Sequence, residues 1–267
     1  MTEAEWLACV DPQKMLEILQ GKASDRKLRL FAVACCRRVP HLTAEPPLQE
    51  AIRVSERYAE GLCSLEEVLA VVPAALDLPH PRSEYTATPA GYVHWHWQED
   101  GGADFNSSDE YYLNLHHYSA VEATLWATGA VRKAGWKDAE SAVLQAQRAS
   151  QAAAAAVEDF SFDPSLPFEI RMKEMDYHWE CVRKQKAAHA ALLRHFVGSP
   201  SRPHSASRSW PSNVIQLADA LYNGRDCGFA LHDALLDAGH ADLAQHFREE
   251  RDHPKGCWVV DLVLGKS

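Results

Sequence analysis

Apolar residues recur at spacings of three and four along most of this chain, and helix-capping residues stand at the breaks. Leu28, Phe31, Ala32, Cys35 and Val39 share one stripe, with Arg26, Arg29 and Arg37 off it, which is the pattern of an amphipathic helix. Ser24 opens this run and Pro40 stops it. Upstream, Thr2 and Glu5 fit a capping box, because a hydroxyl and a carboxylate three residues apart satisfy two otherwise unpaired N–H groups. Asp11-Pro12 sets an N-cap acceptor before a proline at the first helical position, and Gly21 ends that segment. A further helix is expected from about Leu48 to Leu62, with Gly61 near its end. Ser64 and Glu67 then repeat the capping box before Val68, Leu69 and Val72.

From Pro73 to about Ser108 the helical period is lost. Pro73, Pro79, Pro81, Pro89, Gly91, Gly101 and Gly102 punctuate the stretch, and a long irregular insertion in a compact domain is usually functional or mobile. Within it Tyr92-Val93-His94-Trp95-His96-Trp97 alternates with period two, as a short strand does. Helical patterning resumes near Asp109 and runs to about Val157 with an alanine-rich end. A long helix is expected from Phe168 to Val197, its stripe formed by Phe168, Met172, Met175, Trp179, Val182, Leu192, Leu193 and Phe196, with Gly198 beyond its end. Ser199 to Ser209 reads as an exposed loop. Short helices follow at about 211–222, 228–238 and 241–248, and the apolar run from Cys257 to Leu264 fits either a helix or a buried strand. The fold class is therefore all-α, a multi-helix bundle or stacked helix pairs with one irregular His/Trp-rich loop insertion at about 73–108. Residues 1–198 form the helical domain, and the C-terminal helices of 199–267 are expected on the same core.

Composition narrows the function classes. Of 267 residues, 46% are hydrophobic and 24% charged, ordinary globular usage. No run of 18 apolar residues is present, so no membrane span is expected. The acidic start Met-Thr-Glu-Ala-Glu-Trp lacks an apolar core, so no signal peptide is expected and the reading is cytoplasmic. A net charge of −10 repels phosphate backbones. The most basic runs, Lys22 to Arg38 and Arg183 to Lys186, read as solvated helix faces rather than a nucleic-acid grip. Seven scattered cysteines with no C-x-x-C pair point to a reducing compartment without a disulfide framework.

Fourteen histidines invite a search for metal. His94-x-His96 on a strand would share a face, with His116 or His117 as a third ligand, the donor set of a catalytic zinc-like site. Packing of both histidines with Tyr92, Trp95 and Trp97 as an aromatic plug is the simpler account. Glu174, His178 and Cys181 also share a helix face, but their spacing departs from the Glu-x-x-His pattern of di-iron bundles. His253-Pro-Lys-Gly-Cys257 brings a histidine and a cysteine together in sequence, although catalytic pairs are normally assembled by the fold, and a turn before the terminal apolar run explains it. No nucleophile elbow or phosphate loop is present.

The ends of the chain carry longer signatures. Thr2-Glu-Ala-Glu-Trp-Leu-Ala-Cys9 and Ser24-Asp-Arg-Lys-Leu-Arg-Leu-Phe-Ala-Val-Ala-Cys-Cys-Arg-Arg-Val39 open it; Leu192-Leu-Arg-His-Phe-Val-Gly198, Asp233-Ala-Leu-Leu-Asp-Ala-Gly-His240 and Gly256-Cys-Trp-Val-Val-Asp-Leu-Val-Leu-Gly-Lys266 close it. Together they resemble a paralogous family of uncharacterised planctomycete proteins of Gemmata type. The family carries Asn-Pro-Phe-Arg-Pro where this chain has Ser199-Pro-Ser-Arg-Pro203. The resemblance brings no activity, cofactor or binding residue to carry over. The expected function is a non-catalytic helical interaction or regulatory module with no cofactor. A protein partner would be met through an aromatic patch of Tyr85, Tyr92, Trp95 and Trp97. The rival is a metal-dependent hydrolase centred on His94, His96, His116 and His117.

Overall fold

The computed structural model describes residues 1–40, 43–76, 149–150, 153, 167–200, 209–249 and 252–266. All regular structure among these residues is α-helix. Five helices precede the gap in description: α1 (Glu3–Ala8), α2 (Pro12–Leu19), α3 (Asp25–Arg37), α4 (Pro46–Ala59) and α5 (Leu65–Leu76). After it come α6 (Phe168–Val197), α7 (Ser212–Tyr222), α8 (Gly228–Asp237), α9 (Ala241–Glu249) and α10 (Trp258–Leu264). The Cys257–Leu264 run is thus helical.

Local chemistry sets most of the boundaries. Thr2 accepts from the Glu5 amide at 3.2 Å while the Glu5 carboxylate accepts from the Thr2 amide at 2.6 Å. Ser64 and Glu67 repeat that exchange at 3.2 and 2.9 Å. Asp11 caps α2 through the Gln13 amide, and Ser24 caps α3 through the Lys27 amide. Two boundaries differ from the sequence expectation. The α4 helix starts at Pro46, because prolines suit the first turn, where no N–H is required. The α5 helix runs through Pro73 to Leu76, so the irregular segment does not begin at Pro73; a proline late in a helix costs one backbone bond and a clash that the remaining turn outlasts.

Two hydrophobic clusters organise the described residues. The first gathers Trp6, Met15, Leu16, Leu19, Phe31, Ile52 and the C-terminal part of α6, including Leu193 and Phe196. Each large side chain withdrawn from water contributes roughly 1.5–3 kcal/mol. The second joins α7 to α10 through Val214, Leu231, Leu235, Phe247, Val259 and Val260. Among the described side chains of the long α6 stripe, burial begins only near its midpoint: Val182, Leu193 and Phe196 are buried, whereas Phe168 is 67% and Trp179 53% exposed. A helix of 30 residues is about 45 Å long, and its packing partners α2, α3 and α10, at 13 residues or fewer, span less than half of that.

Charged side chains and two glycines form the seam between the clusters. Arg26 on α3 donates to Asp261 of α10 at 2.7 and 3.2 Å, to Glu60 at 3.0 Å and to the Tyr222 hydroxyl at 3.1 Å. Tyr222 in turn donates to Glu60. Lys27 pairs with Asp261 at 2.6 Å. The basic run of α3 is therefore not simply a solvated face: Arg26 and Lys27 turn inward, and Arg37 pairs with Glu56 at 2.6 Å. Close approach is possible because Gly198 (φ +68°) lies under the Trp258 ring, and Gly256 (φ +96°) leaves no room for a β-carbon, which would stand 2.5 Å from the Phe196 ring.

Candidate metal centre

At this seam four side chains from three elements converge. His195 lies in the last turn of α6, His246 on α9, and His253 and Cys257 on the turn leading into α10. Their ligand atoms all lie within 4.8 Å of one another. His246 Nε2 is 3.1 Å from Cys257 Sγ, and His253 Nδ1 is 3.9 Å from the same sulfur. The imidazole centroids are 4.7 Å apart for His195 and His246, 5.3 Å for His195 and His253, and 5.2 Å for His246 and His253. Donors around tetrahedral zinc, with bonds near 2.0–2.1 Å to nitrogen and 2.3 Å to sulfur, stand roughly 3.3–3.6 Å apart. The observed spacings bracket that range, so an ion requires only small inward shifts.

Three of the four ligands are fixed by their surroundings. His195 is carried next to Phe196, whose ring packs edge-on against Phe31 with centroids 6.2 Å apart. The second half of α6 is thereby anchored in the first core. His246 precedes Phe247 of the second core. The Cys257 amide donates to the Pro254 carbonyl at 3.0 Å, and the Cys257 carbonyl accepts from the Asp261 amide at 2.9 Å, which closes the turn around the thiol. His195 is 5% and Cys257 1% exposed, whereas His246 and His253 are half-buried.

The electrostatics suit a cation. His195 Nε2 is buried with no hydrogen-bond partner, an arrangement that normally calls for an explanation. Burial, then the neighbouring His246, His253 and Lys27, hold the His195 imidazole well below its ordinary pKa. Burial, followed by His253, pushes His246 down to about 3. Both imidazoles are therefore neutral and able to donate a lone pair at physiological pH. Burial pushes the Cys257 thiol up to about 12, opposed by the Val260 and Val259 amides and by Lys27. A bound metal would displace that proton, since thiolate is the ligating form. Three imidazoles and one thiolate form a borderline-to-soft donor set that suits zinc or cobalt(II) and not magnesium or calcium.

A second buried pair lacks this convergence. Ser150 Oγ and His189 Nδ1 are 3.1 Å apart and fully buried. Burial drives the His189 imidazole down to about 3. A serine–histidine pair sealed this way satisfies a core polar group rather than presenting a nucleophile.

His94, His96, His116 and His117 lie outside the described residues, as do Tyr85, Tyr92, Trp95 and Trp97. The side chains of Glu174 and His178 are likewise outside the description, and Cys181 is buried on α6. His253 and Cys257 do come together, and sequence proximity is only half the reason. The fold adds His195 and His246, which no short motif marks. The available signal was the spacing His246-x6-His253-x3-Cys257 across a glycine turn, with His195 beside the buried end of the α6 stripe. All seven cysteines are free thiols. Among the described residues no helix is long and apolar enough to cross a membrane. The chain matches no known protein-family model, no curated protein and no solved structure.

Proposed function

We propose that this protein is a metal-stabilised, non-catalytic helical module. In it His195, His246, His253 and Cys257 hold one zinc-like divalent ion. The observation that carries the reading is the convergence of four ligand atoms within 4.8 Å from α6, α9 and the turn before α10. Structural zinc takes four protein ligands, whereas catalytic zinc keeps one position for water or substrate; four donors here favour the structural role. The ion ties the C-terminal helices to α6, and the resulting rigid surface serves a protein partner. Free thiols throughout fit a reducing cytoplasm. Kinship with the planctomycete family is proposed on the end segments quoted above.

Metal analysis of chain purified without chelator and reconstituted with zinc tests the reading. About one zinc per chain is expected, lost in a Cys257→Ser/His195→Ala variant and kept in His94→Ala/His96→Ala. Zinc well below stoichiometry after reconstitution removes the centre. Loss of zinc in the His94/His96 variant instead moves the metal to the hydrolase reading.

A further inference from the structure

His253 and Cys257 are the two ligands placed by the turn leading into α10 rather than by the body of a helix, and both flanks of the cysteine are held by the same side chain. Lys27 Nζ donates to the Gly256 carbonyl at 2.7 Å, one residue before Cys257. It also pairs at 2.6 Å with Asp261, whose amide closes the turn on the Cys257 carbonyl. Lys27 is largely buried, 12% of its side chain being exposed, so its ammonium is committed to these two oxygens rather than to water. The rest of the turn has no slack. Gly256 stands against Phe196 and Leu30 with no space for a β-carbon, and Phe196 adjoins His195.

Resting on the metal-centre reading, we infer that Lys27 is a positioning residue of the centre, holding the Gly256–Asp261 turn so that the Cys257 sulfur faces the three imidazoles. Lys27 bonds to Gly256 and Asp261 rather than to a proposed ligand atom; its charge also bears on Cys257 and His195, and Lys27→Arg keeps that charge. Partners that orient a ligand this way weaken metal binding by about ten- to hundred-fold when removed. The role is separable from folding, because Arg26 still donates to both Asp261 oxygens when Lys27 is replaced.

The experiment compares the unaltered chain, Lys27→Met and Lys27→Arg. Each is loaded with zinc and titrated with a competing chelator, then loaded with cobalt(II) for its absorption spectrum. Lys27→Met is expected to lower zinc affinity by about ten-fold or more. It should also alter the thiolate-to-cobalt charge-transfer band at saturating metal, a signature that general loosening of the fold does not produce. Lys27→Arg, which keeps donors for both oxygens, stays within about five-fold of the unaltered chain, half or less of the loss expected for a removed orienting partner. An unchanged affinity and spectrum in Lys27→Met, or an equal loss in both variants, overturns the role while the centre stands. Failure of the unaltered chain to bind zinc removes the centre itself, and the role with it.

Discussion

His189 and His195 lie on the same helix, both buried, both with an Nε2 that has no hydrogen-bond partner. Their surroundings differ. His189 faces Ser150 at 3.1 Å, and burial and Arg38 are what hold its pKa down. His195 faces His246, His253 and the Cys257 sulfur, delivered by two other elements. Neither burial nor an unpaired nitrogen identifies a site. Several metal-ligating side chains from separate segments, their ligand atoms within 4.8 Å of one another, do. The comparison also separates two kinds of cohesion: His189 belongs to the interior of one hydrophobic cluster, and His195 stands where that cluster meets the other.

The largest effect that tests this contrast is metal removal. Apparent binding free energies of structural zinc are on the order of 10 kcal/mol, so chelation should lower the unfolding temperature of the C-terminal helices far more than any single substitution. Calorimetry with and without chelator checks it, and an unchanged transition would erase the distinction between the two histidines. Next comes the charge network. Asp261→Ala leaves Arg26 and Lys27 without their shared carboxylate, and breaking a buried pair costs about 3–5 kcal/mol. Urea unfolding of the zinc-loaded chain measures this; a loss below about 1 kcal/mol would mean the seam rests on the ion and apolar contact alone.

The histidines themselves give the direct comparison. His189→Ala should destabilise the fold by about 1–3 kcal/mol, the cost of disturbing a buried hydrogen-bonded group, while zinc stoichiometry stays at one. His195→Ala should do the reverse, abolishing tight zinc binding with a small change in metal-free stability. Equal loss of zinc in both variants would break the contrast. The smallest effect is in pH. His189 is depressed to about 3 from 6.5, so below pH 6.5 the unfolded chain takes up a proton that the folded chain refuses. Stability is fully present above pH 6.5 and falls as pH drops toward 3, by about 1–2 kcal/mol between pH 7 and pH 5. A His189→Leu chain should lack that part of the slope in urea midpoints.

What could be read from the sequence was what local chemistry decides. The Thr2/Glu5 and Ser64/Glu67 boxes, the Asp11-Pro12 start and the span of α6 depend on neighbours within one turn, and each appears as expected. Periodicity overreached where burial depends on a distant partner. Trp179 shares the stripe of Phe196, yet only Phe196 meets the core. Pro73 reads as a boundary because proline disfavours helix interiors, yet the last turn of α5 absorbs it. The candidate metal centre is half legible. His253 and Cys257 are neighbours in sequence, but His195 reaches them only through the packing of Phe196 against Gly256, and no spacing rule encodes that contact.

That glycine turn also bears on rates. Gly256 is wedged against Phe196 and Leu30, its carbonyl is held by Lys27, and Cys257 itself is buried, so the backbone that carries the sulfur is held in place. An ion held by the proposed centre would then be released by local opening of that turn, a local unfolding event. Exchange is then slow compared with binding at an open site, and a pulse of chelator too brief for that opening leaves the protein loaded. The lifetime of the bound state then depends on the backbone of this turn as well as on the ligands themselves.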